Sequence, residues 1–278
     1  MRKSVSLLVL LLLFSIMWVS IPQIGLVKAQ RSSIFIRSDG SVEGTSKIQV
    51  DGNYYTLTGN ITVDTSHVDH GIYVEKDNII IDGSGYTLEG NGEGTGIQLY
   101  QRIGVKIKNF HIINWGCGIN NPKNECIIEG NWITECNTGI NLADTHNCTF
   151  IGNELLGNHE DIFLMRIYAN KFVGNNIGKL YWSTAFLVPG ENSFDGNYWG
   201  EYEGTDEDKD GFGDTPFMVY QVDYGDTNIT CYDNHPLIEP AMIPEFPSWI
   251  ILPLFLLVTF VGVIVRKRLS QSVTRYAK

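Results

Sequence analysis

The dipeptide Gly-Asn returns at a fixed interval: Gly130-Asn131, Gly152-Asn153, Gly174-Asn175 and Gly196-Asn197 follow one another at 22 residues. Four in-phase matches at one period are the mark of a repeat architecture, and they limit the fold more than composition does. The apolar residues keep the same phase. Two positions before each Gly stand Ile128, Phe150, Phe172 and Phe194, and two after each Asn stand Ile133, Leu155, Ile177 and Trp199. A second ladder, Gly96-Ile97, Gly118-Ile119, Gly139-Ile140 and Asp161-Ile162, opens each unit, with Gly71-Ile72 as a looser forerunner.

Between the rungs lie short β-prone runs broken by Gly, Asn and Asp, as in Asn78 to Gly83 and Val105 to Asn109. They read as strand, turn, strand. So short a unit cannot bury its own apolar face. Stacking equivalent strands about 4.8 Å apart lets each rung pack on the next and pairs every backbone amide with the neighbouring coil. The expected fold is all-β, a right-handed parallel β-helix of ~22-residue coils. Gly supplies positive φ at the corners, and each Asn amide can bond to the Asn above and below, so the Gly-Asn ladder is read as structural. A leucine-rich repeat shares the period but needs more leucine, a Leu-x-x-Leu-x-Leu spacing and a helical return segment, none of which the sequence has.

Around the coils, assigned to residues 71–200, the chain divides by composition. Residues 30–70 read as an N-terminal β cap built from Ile34-Phe35-Ile36, Tyr54 to Leu57 and Asn60 to Val63, covering an otherwise open sheet end. Residues 201–240 read as an acidic C-terminal cap and 241–248 as a linker. Met1, Arg2 and Lys3, an apolar run, and Val27-Lys28-Ala29 mark residues 1–29 as a signal peptide. The uncharged stretch Phe246 to Val265 is long enough to cross a bilayer, so one C-terminal transmembrane helix is expected over 249–265. Arg266, Lys267 and Arg268 open a basic tail, 266–278, which the positive-inside rule keeps cytoplasmic, with the ectodomain outside the cell membrane.

Within that ectodomain lie all 31 acidic residues but only 12 of the 20 Lys and Arg, a balance of −19. Such a field repels phosphate backbones and polyanions, which excludes nucleic acid as a partner and favours cations and neutral ligands. All five cysteines also fall on the exported side, where disulfides persist. Coil equivalence puts Cys126 and Cys148 on one rung as a candidate bridge, and Cys117 and Cys136 at nearby corners as a second, leaving Cys231 odd; reduced buried thiols are the alternative. Asn60, Asn147 and Asn228 head Asn-x-Thr sequons open to glycosylation.

The run Asp206-Glu207-Asp208-Lys209-Asp210-Gly211-Phe212-Gly213-Asp214 spaces carboxylates as a Ca²⁺ loop does, with Gly at the bend and the Phe212 carbonyl available. Asp206, Asp208, Asp210, Phe212 and Asp214 are the candidate ligands. Phe217 stands where an EF-hand has its bidentate Glu, which points to modest affinity suited to extracellular calcium.

Taken together, the Gly-Ile starts, the Gly-Asn units, Gly196-Asn197-Tyr198-Trp199-Gly200-Glu201-Tyr202, the acidic loop leading to Thr215-Pro216-Phe217, and His235-Pro236-Leu237 resemble NosD-type right-handed parallel β-helix proteins. That likeness runs from about Ile34 to Pro240. In one branch the family is labelled periplasmic copper-binding, and it is related to carbohydrate-binding and sugar-hydrolase β-helices. Pro244-Glu245-Phe246-Pro247 before the apolar span resembles archaeal C-terminal sorting signals, kept as an anchor or processed by a sortase-like enzyme. Copper is not expected here, because its soft sites gather His, Met or Cys, whereas His67, His70, His111, His146, His159 and His235 fall on different rungs.

Enzymes on this fold use carboxylates clustered in a groove, but Asp82, Asp161 and Asp195 are dispersed and Arg102 and Arg166 isolated. Tyr100, Trp115, Trp132, Tyr168, Tyr181 and Trp182 are aromatics that could stack sugars. The leading expectation is a non-catalytic surface module binding glycans or surface-layer partners. A polysaccharide lyase or hydrolase is the alternative, and a copper-handling protein the second alternative.

Overall fold

The computed structural model describes residues 33–64, 69–182, 192–223 and 228–242. Within them the chain is a parallel β-solenoid of about six turns with no helix. The signal peptide, the transmembrane segment, the basic tail, most of the linker and His67 lie outside the described residues, and no helix among those described is long and apolar enough to cross a membrane.

Each turn visits three faces. The first sheet runs Val42–Glu43, Ile34–Ile36, His70–Val74, Thr95–Ile103, Cys117–Asn124, Thr138–Ala143, Glu160–Met165, Leu180–Trp182. Beside it, the second sheet carries Tyr54–Leu57, Ile80–Asp82, Lys106–Lys108, Ile127–Glu129, Thr149–Ile151, Lys171–Val173 and Ser193–Asp195 in parallel order. The third face stacks Ile61–Thr62, Thr87–Glu89, His111–Ile113 and Trp132–Thr134, then continues through the single bridging residue Glu154 to Asn176–Ile177 and Tyr198–Trp199. Parallel pairing thus already includes Ile34–Ile36, Tyr54–Leu57 and Ile61–Thr62, upstream of residue 71. Antiparallel strands lie at the outer edges: Val42–Glu43 and Ile48–Asp51 at one end, and the hairpin Phe217–Asp223/Asn228–Asp233 at the other.

Like residues sit on like residues, as the period requires. Ile72, Ile97, Ile119, Ile140 and Ile162 are in register on the first sheet. On the second, Ile107, Ile128, Phe150, Phe172 and Phe194 follow one another, and all of these are buried. The Phe150, Phe172 and Phe194 rings lie parallel at centroid spacings of 4.6 and 4.5 Å. The corner after this sheet is left-handed in five successive coils, at Asn109, Gly130, Gly152, Gly174 and Gly196, where Gly meets no steric penalty.

The Asn that follows each of these glycines turns inward. The amide nitrogen of Asn131 donates to Asn153 Oδ1 at 3.0 Å, that of Asn153 to Asn175 Oδ1 at 2.8 Å, and that of Asn175 to Asn197 Oδ1 at 2.9 Å. All four are fully buried. Such a ladder has a direction, so its last member keeps donors without an amide oxygen above. Asp233 takes that place: its Oδ2 accepts from Asn197 N, Asn197 Nδ2 and Trp199 Nε1 at 2.9 to 3.0 Å, and its Oδ1 from Gly196 N and His235 N. An acceptor-only carboxylate is the one side chain that satisfies every donor there.

Replacing Asp233 by Asn turns one of these oxygens into a donor facing donors. Asp233→Asn is expected to lower stability by about 1–3 kcal/mol for each donor left unpaired, and Phe172→Ala by about 3–5 kcal/mol, both read by denaturant unfolding of the purified protein.

Candidate functional site

In a strand, successive side chains point to opposite faces, so the residue after each buried Ile of the first sheet points out. In-register pairing lines these residues up as Phe35, Tyr73, Gln98, Asn120, Asn141, Phe163 and Tyr181. The row has aromatic ends and an amide middle. Phe35 and Tyr73 lie 5.9 Å apart at one end, and Phe163 and Tyr181 stack at 5.6 Å at the other, with Tyr181 about half exposed. On the strand of Gln98, the exposed Tyr100 lies two residues further along the same side.

The amide middle is under-satisfied. Asn141 Nδ2 donates to Asn120 Oδ1 at 2.9 Å, yet Asn141 Oδ1 and Gln98 Oε1 are buried with no hydrogen-bond partner. Gln98 as a residue is only 8% exposed. The third such buried, unpartnered atom among the described residues, His70 Nδ1, belongs to the adjoining strand of this same sheet. Burial pushes the His70 pKa down, against the charge of Asp69, so the ring is neutral at pH 7 and its free nitrogen is a hydrogen-bonding group. Unpaired buried polar groups are costly and rare, and the three among the described residues all belong to strands of this one sheet.

Carboxylates do not converge there. Asp161 is 1% exposed, and its two oxygens accept N–H groups of Asn158, Gly178 and Lys179 at 2.7 to 3.2 Å. Burial pushes its pKa up while these donors pull it back, and the geometry is that of a turn-holding group. Asp82 is held below the usual carboxylate range, its burial outweighed by hydrogen bonds from Lys108, Ser84 and Asn109. Asp195 pairs with His235 on the exposed surface, Asp144 with Arg166, and Arg102 with Asp77.

Several sequence expectations need correction. Trp115 is not a sugar platform: it is fully buried and donates Nε1–H to Leu88 O at 3.0 Å. Trp132 is half-buried beneath the His111 ring on the third face, away from the row. Tyr168 is exposed but stands beside His146 at a different corner, and the Trp182 side chain lies outside the described residues. In the structure the five cysteines stand as thiols, Cys126, Cys136 and Cys148 buried and Cys117 and Cys231 half-buried. Cys117 stands opposite Thr138, with Cys136 near enough to act, after burial, in pushing its pKa up. Asn60 and Asn147 are exposed, as a glycan acceptor must be, and Asn228 opens the strand Asn228–Asp233.

In the acidic loop, Asp206, Asp208 and Asp210 bring ligand oxygens within 4.8 Å of one another. Asp214 does not join them: its Oδ2 accepts the Glu207 N–H at 2.7 Å. The Phe212 ring lies edge-on to His235 at 6.3 Å. The loop is tied to the end of the solenoid by Gly213 N–H to Pro236 O and by the Tyr202 hydroxyl, which donates to Thr215 O at 2.7 Å. The Tyr202 ring passes so close to Gly204 and Gly213 that a Cβ at either would overlap its hydroxyl, at 2.0 and 1.9 Å.

Gln98, Asn120, Asn141 and Phe163 escaped the sequence reading although a signal was there: each directly follows the Ile of the opening ladder. A test of the unpaired amide follows. Gln98→Leu removes a buried polar group with no protein partner, so thermal unfolding of the variant is expected at or slightly above the wild-type temperature, by up to about 1 kcal/mol. A clear loss of stability would mean that the Gln98 oxygen is bonded after all.

Compared with known proteins, residues 70–181 match the family model described as Periplasmic copper-binding protein (NosD), a span of less than half the chain. No curated protein and no solved structure matches the chain. Among the described residues the one group of three or more possible ligands is Asp206, Asp208 and Asp210, hard oxygen donors, where copper selects sulfur and imidazole.

Proposed function

We propose, on the premise that residues 70–181 form a NosD-type parallel β-helix, that this protein is an exported, membrane-anchored surface module that binds neutral glycans along the outer face of the first sheet. The observation that carries this reading is the row from Tyr73 to Tyr181, with aromatic rings at both ends and unpartnered Gln98 and Asn141 oxygens between them. Sugars suit such a row, since their hydroxyls exchange hydrogen bonds with side-chain amides and their C–H faces stack on aromatic rings. Coils about 4.8 Å apart match the step of one pyranose in an extended chain, so a linear oligosaccharide lying along the solenoid axis meets one outward side chain per sugar. The ectodomain charge of −19 favours an uncharged ligand over a polyanion. Binding is favoured over cleavage because, among the described residues, the row from Phe35 to Tyr181 carries no carboxylate. Export and anchoring are supported by the apolar runs near both ends and by Arg266, Lys267 and Arg268.

The reading includes a Ca²⁺ site at Asp206, Asp208 and Asp210, supported by the convergence of their oxygens and by the crowding of like charge there. Its expected role is structural, tightening the loop that follows the last coil. At a hundredfold excess over Kd, Ca²⁺ is expected to add about 2.7 kcal/mol to stability. Asp208→Asn should abolish this gain, and chelator should reverse it in the wild type alone, both followed by thermal unfolding.

Glycan-array binding of the purified protein tests the central claim. Uncharged linear oligosaccharides are expected to bind with little dependence on salt. Tyr181→Ala is expected to weaken binding by about 0.5–1.5 kcal/mol for the lost ring beyond its buried area, and Gln98→Leu to weaken it while leaving folding intact. Turnover of any polysaccharide by the wild type would replace the binding reading with the enzymatic one.

A further inference from the structure

A second internal ladder runs beside the Asn131 column, and the cysteine rung read from the repeat is only its first half. Its members, Cys126, Cys148, Asn170 and Asn192, follow one another at 22 residues, each accepting the backbone N–H of the one before. Cys148 N–H donates to Asn170 Oδ1 at 2.9 Å and Asn170 N–H to Asn192 Oδ1 at 3.0 Å, but Cys126 N–H meets only the Cys148 sulfur, at 3.3 Å. The Asn rungs also tie neighbouring coils through their amide nitrogens, Asn170 to Thr145 O and Asn192 to Ile167 O. Thiols, as weak donors and acceptors, do neither job well, so the two cysteine rungs give up hydrogen bonds that Asn would make.

The pairing Ile127 with Thr149 sets Cys126 directly across from Cys148 on neighbouring parallel strands. That strand spacing, about 4.8 Å, lies inside the Cα range of about 4.4–6.8 Å over which disulfides form. Both residues are buried, at 0 and 1% exposure. None of the other three cysteines has such a counterpart: Cys117 faces Thr138, Cys136 hands its N–H to Asn158 Oδ1, and Cys231 contacts Asn192 O. The pair falls in the coils whose third face narrows, between Trp132–Thr134 and Asn176–Ile177, to the bridge residue Glu154.

We infer that Cys126 and Cys148, thiols in this structure, are the pair that oxidation closes into a disulfide stapling successive coils, while Cys117, Cys136 and Cys231 remain thiols. The oxidant is an external disulfide, small-molecule or protein-borne. One cysteine thiolate attacks a sulfur of this disulfide and releases one thiol; the other then attacks the mixed disulfide, forms the Cys126–Cys148 bond and releases the second thiol. Two electrons and two protons pass to the oxidant, which leaves fully reduced. Exchange happens before the coils close, because neither sulfur faces solvent afterwards.

The test is independent of the glycan reading and of where the chain resides. Full-length protein in detergent is refolded in a glutathione redox buffer, alkylated, digested and mapped by mass spectrometry. The expected result is a peptide pair joined through Cys126 and Cys148, lighter by two hydrogens, with the other three cysteines alkylated. Alkylated Cys126 and Cys148, or a bond to any other cysteine, overturns the proposal. A Cys126→Asn/Cys148→Asn double variant extends the amide ladder without sulfur. Its melting temperature is expected to ignore reductant, whereas that of the oxidised wild type drops by several degrees; a wild type equally indifferent to reductant also overturns it.

Discussion

Parallel strands in register hand the backbone amides of one coil to the carbonyls of the next, and the rest of the described structure is built on that pairing. It places equivalent side chains one coil apart, near van der Waals contact. A side chain inside the solenoid therefore does best when its copy above can use the same contact. Ile rungs, a Phe stack and amide ladders are three solutions to the same condition. Stacked amides succeed because each carries both donors and an acceptor, so a column of them is self-satisfying except at its ends. Asp233 supplies the missing acceptor at one end, and the hairpin that carries it closes the second sheet as well.

Outside the solenoid the same register has the opposite consequence. Water or a ligand can serve an outward side chain, so nothing requires like to sit on like, and the row from Phe35 to Tyr181 varies in a way the interior does not. Two rings, three amides and two rings succeed one another, and the unpaired Gln98 and Asn141 oxygens in the middle are polar groups that the fold itself does not use. A structure that hydrogen-bonds its buried amides so thoroughly elsewhere concentrates its exceptions on one sheet.

The end of the solenoid is organised by one aromatic residue. Tyr202 threads its ring between Gly204 and Gly213 and holds Thr215, which fixes the entrance and exit of the acidic loop against the last coil. The identity of both glycines follows from that passage. Within the loop so tied, Asp206, Asp208 and Asp210 converge, while Asp214, only four residues on, turns its carboxylate to the backbone of Glu207.

The amino-acid sequence alone determined the period, the Ile ladder from Ile97 to Ile162, the Phe stack and the Asn column, because inward positions must repeat in kind and repetition can be seen without coordinates. It also carried the resemblance that the family match bears out. It did not reveal Asp233 as the end of the Asn column, since that residue lies outside the repeat and arrives by a hairpin. Nor did it place Cys117 opposite Thr138, bury Trp115 or separate Asp214 from the other loop carboxylates, because corners and loops shift register by a residue or two without changing the period. Gln98, Asn120 and Asn141 were adjacent to a recognised ladder, yet only pairing across coils made them a surface. What repeats is written in the chain; what meets across coils, and at the ends where repetition stops, is settled by three-dimensional register.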